Sequence, residues 1–102
     1  MIHILFVCEC NLNRSPFFEE WFKKNRPQYN VKSSGTSYSY KNKLNEDLLE
    51  WADKVYVMDI GQHRSISRRF KEYLYKVEII GMSDGEPNML QLLEYWIEKE
   101  GL

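Results

Sequence analysis

Four short apolar segments, each followed by a segment of helical character, constrain the fold of this chain more than any other feature. In chain order they read IHILFV, YNVKSSGT, KVYVM and KVEII. The first is continuous, rich in branched aliphatic residues and free of turn residues, which is typical of a buried strand in a parallel sheet. Strands that alternate with helices predict right-handed crossovers. We therefore expect an α/β fold, a three-layer sandwich around a four-stranded parallel sheet in the order 2-1-3-4.

The size and charge of the chain narrow the classes of function. Its 102 residues, 43% of them hydrophobic, suffice for one modest core, and we expect residues 1–102 to form a single domain. The net charge is −1 with both signs interspersed, so nothing points to nucleic acid or a membrane surface as a partner. The first apolar run is too short to cross a membrane and lacks the basic start of a signal peptide. We expect a cytoplasmic protein.

The segment CECNLNRSP follows the first predicted strand directly. It brings Cys8 to the carboxyl edge of the sheet, where parallel α/β folds bind ligands. Ser15 and Pro16 favour the start of a helix, so the loop should direct several backbone N–H groups and a helix N-terminus to one point, which makes an anion site. Arg14 can hold a tetrahedral dianion there with two parallel hydrogen bonds.

A cysteine in such an anion site is suited to nucleophilic attack on phosphorus. Helix N-termini and nearby arginines favour the thiolate, which is the nucleophilic form. The expected intermediate is a phosphocysteine that water later hydrolyses, and Ser15 can donate a hydrogen bond to the departing thiolate. Cys8 alone would more simply be an inert core residue, because free cysteine packs as a small hydrophobe. The agreement of Arg14, Ser15 and the preceding strand favours catalysis.

The segment VCECNLNRSP resembles the signature C-x5-R-[ST]-P of the low-molecular-weight protein tyrosine phosphatases. SSGT and LLEWADKVYVMD resemble two further segments of that family, so the likeness spans roughly residues 2–70, and it is nearest to a short bacterial branch. The resemblance implies phosphotyrosine-type hydrolysis of a phosphorylated protein or a small phosphoester, without a cofactor. It implies that Cys8 is the nucleophile and that Arg14 binds phosphate. It also implies that Asn11 helps to hold the shape of the loop and that Ser33 supports the loop. The residues expected to contact the substrate are Glu9, Cys10, Asn11, Leu12, Asn13 and Ser15.

Several positions depart from the family pattern. Cys10 stands where glycine is usual, and Asn13 stands where the family usually has a second cysteine. The segment between SSGT and EDLL is shorter than in the family and lacks the histidine that often braces the loop. Glu9 adds a negative charge to the loop, and we expect its side chain to point outward.

The proton donor should lie in the segment GMSDGEPN after the fourth predicted strand, where the family places a D-P-Y-type loop. Asp84 is the predicted general acid and Glu86 the alternative, because a carboxylic acid near the leaving oxygen can supply the proton. A plain turn role for Asp84 stays open, since Asp-Gly is a common turn dipeptide. Tyr38 and Tyr40 are equally consistent with stacking on a substrate ring and with ordinary loop positions.

Four other interpretations stay open. The chain could be a phosphocysteine carrier, although a carrier does not need Arg14. It could be an arsenate reductase, although a disulfide relay needs cysteines beyond Cys10. A metal site is disfavoured, because two thiolates without partners are too few ligands. Finally, it could bind phosphate without turnover, which the altered loop allows.

Overall fold

Strands and helices alternate along the part of the chain that the computed structural model describes, residues 1–37 and 42–102. In chain order they are β1 His3–Cys8, α1 Arg14–Asn25, β2 Asn30–Gly35, α2 Glu46–Trp51, β3 Lys54–Val57, α3 Ile60–Arg69, the 3₁₀ helix Lys71–Lys76, β4 Val77–Ile79 and α4 Met89–Glu100. All four segments predicted as strands form strands.

The strands form one parallel sheet in the order β2-β1-β3-β4. β1 lies in the interior of the sheet, with Cys8 opposite Gly35 of β2 and Val7 opposite Val57 of β3. The predicted α/β class and strand order are confirmed. Because the strands are parallel, the segments that follow β1, β2, β3 and β4 all begin at the same edge of the sheet.

The side chains of β1 alternate between two apolar cores, one on each face of the sheet. Phe6 lies in the first core, where its ring centroid is 5.2 Å from that of Phe18 in α1 and 6.0 Å from that of Trp96 in α4. Val7 lies in the second core together with Leu49 of α2 and Ile66 of α3. Helices therefore cover both faces, which confirms the predicted three-layer sandwich.

Helix α1 begins at Arg14, one residue earlier than Ser15, which the sequence favours as a cap. The residue before the helix is Asn13, and its side chain makes no capping hydrogen bond. Ser15 lies inside the first turn and is fully buried. Its hydroxyl lies 3.0 Å from the sulfur of Cys8, so Ser15 serves the loop instead of capping the helix.

Helix α3 begins at Ile60, because Asp59 caps it. The Asp59 side chain accepts a hydrogen bond from the Gly61 N–H at 2.8 Å, and the Gln62 side chain accepts one from the Asp59 N–H at 2.8 Å. This reciprocal capping box places Asp59 directly after β3. No helix within the described residues is long and apolar enough to cross a membrane.

Candidate active site

The sulfur of Cys8 lies at the base of the loop that follows β1. The side chain is only 3% exposed. The Asn11 N–H donates to the sulfur at 3.2 Å, and the Ser15 hydroxyl lies 3.0 Å from it. Two hydrogen-bond donors can therefore stabilise a negative charge on this sulfur, which is what a thiolate nucleophile or leaving group requires.

The end of β2 packs closely against the loop after β1. A Cβ added at Gly35 would lie 2.7 Å from the Glu9 carbonyl oxygen and 2.9 Å from the Asn11 nitrogen. The N–H groups of Thr36 and Ser37 donate to the carbonyls of Cys8 and Glu9 at 3.1 and 2.8 Å. Only glycine fits at position 35, because any side chain would meet backbone atoms that cannot move aside easily.

Arg14 is buried, and its guanidinium is held at one end. Its Nη1 donates to Asp59 Oδ2 at 2.6 Å and to the Met82 carbonyl at 2.8 Å. Nε and Nη2 have no hydrogen-bond partner within residues 1–37 and 42–102. These two nitrogens form the edge of the guanidinium that binds an oxyanion in a bidentate manner. Arg14 is therefore anchored by one nitrogen and can grip a ligand with the other two.

Asp59 is the partner of Arg14 that the sequence interpretation missed. Partial burial opposes ionisation of its carboxyl, but hydrogen bonds from Arg14 and from the Gly61 N–H outweigh it and lower the pKa. The carboxylate is thus charged at neutral pH. The D-x-x-Q capping pattern of Asp59 and Gln62, immediately after a strand, is the sequence signal that identifies its position.

A small cavity opens above the sulfur, with a volume of about 110 Å³. This is room for three or four water molecules at roughly 30 Å³ each, and so for the oxygens of a phosphoryl group. The residues that line it are Cys8, Glu9, Cys10, Leu12, Asn13, Arg14 and Asp84. The structure thus brings together the predicted nucleophile, phosphate-binding arginine, general acid and four of the predicted substrate contacts.

The two candidate acids are placed differently. Asp84 is exposed and lines the cavity with Cys8. Glu86 is half-buried, and its Oε1 accepts a hydrogen bond from the Asn88 N–H at 3.0 Å. Glu86 is not among the residues that line the cavity. This geometry supports Asp84 as the proton donor.

Three predicted residues do not line the cavity: Asn11, which belongs to the loop itself, and Ser15 and Ser33, which lie beneath it. The Nδ2 of Asn11 donates to both serine hydroxyls at 2.9 Å. Ser33 therefore supports the loop through Asn11. A further residue, Asn42, donates from its Nδ2 to Asn11 Oδ1 at 2.7 Å. No pattern in the sequence identifies Asn42, because it lies in a segment without periodicity.

Glu9 and Cys10 lie at the mouth of the cavity. Glu9 is exposed, in agreement with the expected outward orientation. Partial burial and the negative charge of Glu9 raise the pKa of the Cys10 thiol above its ordinary value. Cys10 is therefore mainly a neutral thiol at physiological pH.

A wider cavity of about 480 Å³ adjoins the site and shares Glu9 with it. Its other lining residues are Thr36, Ser37, Asp59, Gly61, Gln62 and Ser65. It can accommodate a bulky group attached to a phosphoryl group bound above Cys8. Tyr38 and Tyr40, predicted as possible stacking residues, lie outside the described residues. Within the described residues, no group of three His, Cys, Asp or Glu side chains is arranged to hold a metal ion.

Comparison with known proteins places this architecture among the low-molecular-weight protein tyrosine phosphatase folds. No family model matches the sequence, and no curated protein matches it. Solved structures match over nearly the full length of the chain, and the predicted resemblance is confirmed at the level of the fold.

Three solved structures illustrate the likeness. The arginine phosphatase YwlE from Geobacillus stearothermophilus is 23% identical, with a TM-score of 0.78, and the match covers 99% of this chain and 94% of that one. The tyrosine phosphatase Wzb from Escherichia coli, in complex with phosphate, is 22% identical with a TM-score of 0.81, over 98% and 96% of the two chains. Wzb from Vibrio vulnificus, in complex with benzylphosphonate, is 18% identical with a TM-score of 0.83, over 99% of each chain.

Proposed function

We propose that this chain is a cysteine-dependent phosphomonoesterase of the low-molecular-weight protein tyrosine phosphatase type. The observation that carries the proposal is a single cavity whose lining residues include Cys8, Arg14 and Asp84. Nucleophile, oxyanion grip and proton donor are the three parts that phosphoester hydrolysis through a covalent intermediate needs.

In the first step, the Cys8 thiolate attacks phosphorus, the sulfur–phosphorus bond forms and the bond to the leaving oxygen breaks. Arg14 and the loop N–H groups hold the equatorial oxygens, and Asp84 gives its proton to the leaving oxygen. In the second step, water attacks the phosphocysteine and Asp84, now a carboxylate, takes a proton from that water. The Asn11 N–H and Ser15 hydroxyl, at 3.2 and 3.0 Å from the sulfur, stabilise the thiolate as it leaves.

The proposed substrate is a phosphorylated protein or a small phosphoester of the phosphotyrosine type. The tyrosine phosphatases among the structural neighbours support an aryl phosphate. The arginine phosphatase among them makes phosphoarginine the second compound to test. We propose that hydrolysis needs neither a metal ion nor an organic cofactor, that nucleic acid and membranes are not partners, and that the protein acts in the cytoplasm as one domain.

The test is hydrolysis of an aryl phosphate by the wild-type protein and by Cys8→Ser. We expect turnover by the wild type, none by Cys8→Ser, and retained binding of phosphate or vanadate by that variant. Cys10→Ala is the matched control, because it removes the neighbouring thiol and leaves the nucleophile, so it should stay active.

Trapping of the intermediate separates hydrolysis from the alternatives. Acid quenching during turnover should yield phosphate covalently attached to Cys8. A phosphocysteine that persists until an acceptor is added would identify a carrier. Phosphate binding by the wild type without any turnover would identify a binding module, and undiminished activity of Cys8→Ser would reject the mechanism.

A further inference from the structure

A chain of hydrogen bonds beneath the loop runs from the protein surface towards the Cys8 sulfur. It begins at Glu19, whose Oε2 accepts from Lys23 Nζ at 2.7 Å and whose Oε1 accepts from the Ser33 hydroxyl at 2.5 Å. A carboxylate can only accept, so the proton of Ser33 is committed to Glu19. The Ser33 oxygen is then left to accept, and Asn11 Nδ2 donates to it at 2.9 Å. This favours the orientation in which the nitrogen of the Asn11 side chain faces the serines.

The same orientation determines what Ser15 can do. Asn11 Nδ2 also donates to the Ser15 oxygen at 2.9 Å. Ser15 therefore keeps its own proton for another acceptor. The two available acceptors are the Cys8 sulfur at 3.0 Å and the Ser34 carbonyl at a longer 3.3 Å. When Cys8 is a thiolate, a charge-assisted hydrogen bond to sulfur is the stronger choice.

Asn42 completes this arrangement from the opposite side. Its Nδ2 donates at 2.7 Å to Asn11 Oδ1, the atom that faces away from the serines. We propose that Asn42 is a positioning residue for the nucleophile, which holds the Asn11 amide in the orientation that leaves the Ser15 proton free for the Cys8 thiolate. The inference rests on the proposed function, because it assigns Asn42 to the support of a catalytic thiolate.

The backbone of Asn42 fits it for this position. Its φ is +55°, in the left-handed region that asparagine tolerates better than most residues. Its carbonyl accepts from the Gly35 N–H at 2.9 Å, and Gly35 packs against the loop after β1. Backbone and side chain of Asn42 are thus both tied to the elements that shape the loop.

The decisive variant is Asn42→Asp, which keeps the size of the side chain and tolerates the same backbone conformation. A carboxylate opposite Asn11 Oδ1 sets two acceptors against each other, so the Asn11 amide should turn over. Its oxygen would then face the serines. Ser15 would donate to that oxygen instead of to Cys8, and Ser33 would have to turn its proton from Glu19 to the same oxygen. We expect kcat for an aryl phosphate to fall roughly 10- to 100-fold, which is the effect of losing one hydrogen bond to a charged group. KM should change little, because Arg14 and the loop N–H groups remain.

Two further variants separate this role from simple destabilisation. Asn42→Gly removes the side chain without backbone strain, and we expect a smaller fall in kcat, since the Asn11 amide is then unsupported but not reversed. Asn45→Ala is the matched control in the same segment. Asn45 accepts from the Leu48 N–H at 2.9 Å as the N-cap of α2, so its loss should lower the melting temperature and leave kcat unchanged.

A double-mutant cycle tests whether Asn42 acts through Ser15. In a Ser15→Ala background, Asn42→Asp should cause no further loss of kcat, because the proton that it misdirects is absent. Equal losses in both backgrounds would overturn the proposal, as would wild-type kcat in both Asn42 variants.

A second readout does not depend on turnover. In a Cys10→Ala background, the rate of Cys8 alkylation by iodoacetamide at neutral pH reports how much reactive thiolate is present. We expect Asn42→Asp to slow it roughly 10-fold or more, because one hydrogen bond to the thiolate is lost, and Asn45→Ala to leave it unchanged. If the wild type hydrolyses no phosphoester, the proposed function fails, and the alkylation rates still decide whether Asn42 supports the thiolate. Equal rates in all variants would reject the role of Asn42.

Discussion

The loop after β1 and the loop after β4 contribute to the same cavity, but they are built in opposite ways. In the first, Asn11 is buried with a φ of +56° and hydrogen-bonds on every side, and Gly35 closes the space behind it. In the second, Gly81 and Gly85 have positive φ values, and a Cβ at either would meet nothing within 4 Å. The first loop is held rigidly by packing, whereas the second is tied to the rest of the described residues by hydrogen bonds at its root, from Ile80 to Met82.

The difference follows from what each loop is proposed to do. A nucleophile and an oxyanion grip act on the phosphoryl group, which is the same in every substrate, so a fixed geometry suits them. A general acid must reach the leaving oxygen of groups that differ in size, so an exposed carboxyl such as Asp84 suits that role. The root of the second loop is nevertheless fixed, because the N–H groups of Gly81 and Met82 donate to the Met58 carbonyl at 2.9 and 2.7 Å.

The largest expected effect comes from Arg14→Lys, in the rigid loop. A single ammonium cannot hold Asp59 and the Met82 carbonyl and also grip two phosphate oxygens, because it lacks the planar fork. We expect kcat/KM for an aryl phosphate to fall by roughly 10³-fold or more, in the range found for arginines that stabilise phosphoryl transfer. Arg68→Lys, at an exposed position of α3, is the control and should leave the rate unchanged. Near-normal activity of Arg14→Lys would show that bidentate binding is not required.

Next in size is Asp84→Asn, in the open loop. The rate should fall roughly 10²–10⁴-fold for alkyl and phenolic leaving groups, the range typical of a general acid. It should fall far less for an activated leaving group that departs without a proton. The measurement is the fall in rate for each of the two substrate classes, since misfolding would slow both classes alike. If Glu86→Gln is damaging and Asp84→Asn is harmless, the acid is Glu86.

Two glycines test this difference directly: Gly35, which ends β2 behind the first loop, and Gly85, which lies in the second loop. Gly35→Ala forces a side chain against the Glu9 carbonyl and the Asn11 nitrogen. We expect the free energy of unfolding to fall by about 1–3 kcal/mol, which is typical of overpacking. We also expect a clear fall in kcat/KM. Gly85→Ala introduces backbone strain of about 1–2 kcal/mol, but the added Cβ would meet no neighbouring atom. We therefore expect a similar loss in the free energy of unfolding and a smaller fall in kcat/KM than for Gly35→Ala. Urea unfolding and kcat/KM for both variants check this, and a Gly85→Ala protein less active than Gly35→Ala would reverse the comparison.

The smallest expected effect concerns Glu9, at the mouth of the rigid loop. Because partial burial and the charge of Glu9 raise the pKa of Cys10, Glu9→Gln should lower that pKa towards its ordinary value. In a Cys8→Ser background, the alkylation of Cys10 should then begin at a lower pH. Glu20→Gln, an exposed acid on α1, removes the same charge at a distance and should leave the titration where it was. If Cys10 titrates identically in the Cys8→Ser protein and in its Glu9→Gln and Glu20→Gln derivatives, Glu9 is not a cause of the raised pKa.

The sequence predicts the position of the rigid loop well because the signals that mark its two ends are local. The continuous apolar run of β1, the spacing from Cys8 to Arg14 and the start of α1 all lie within fourteen residues, and local patterns determine them. Alternation of strands and helices likewise predicts the sheet, whose order is confirmed.

The partners of Arg14 and Asn11 could not be predicted in the same way. Asp59 and Met82 lie 45 and 68 positions beyond Arg14, and Asn42 lies 31 positions beyond Asn11. These pairs meet only through the packing of the sheet, and no periodicity in the chain encodes them. The predicted start of α1 differs from the observed one for a related reason, because Ser15 takes hydrogen bonds beneath the loop that a helix-propensity pattern does not weigh.

Because Arg14 is anchored by residues far along the chain, the proposed activity depends on how much of the chain has been synthesised. Its Nη1 is held by one residue that follows β3 and one that follows β4, so the guanidinium receives its orientation only when most of the chain has been made and folded. A nascent chain that ends before Met82 would carry Cys8 without a fully anchored Arg14. The phosphate-binding group is thus assembled late, and a chain that lacks Met82 should be inert towards substrate rather than partially active.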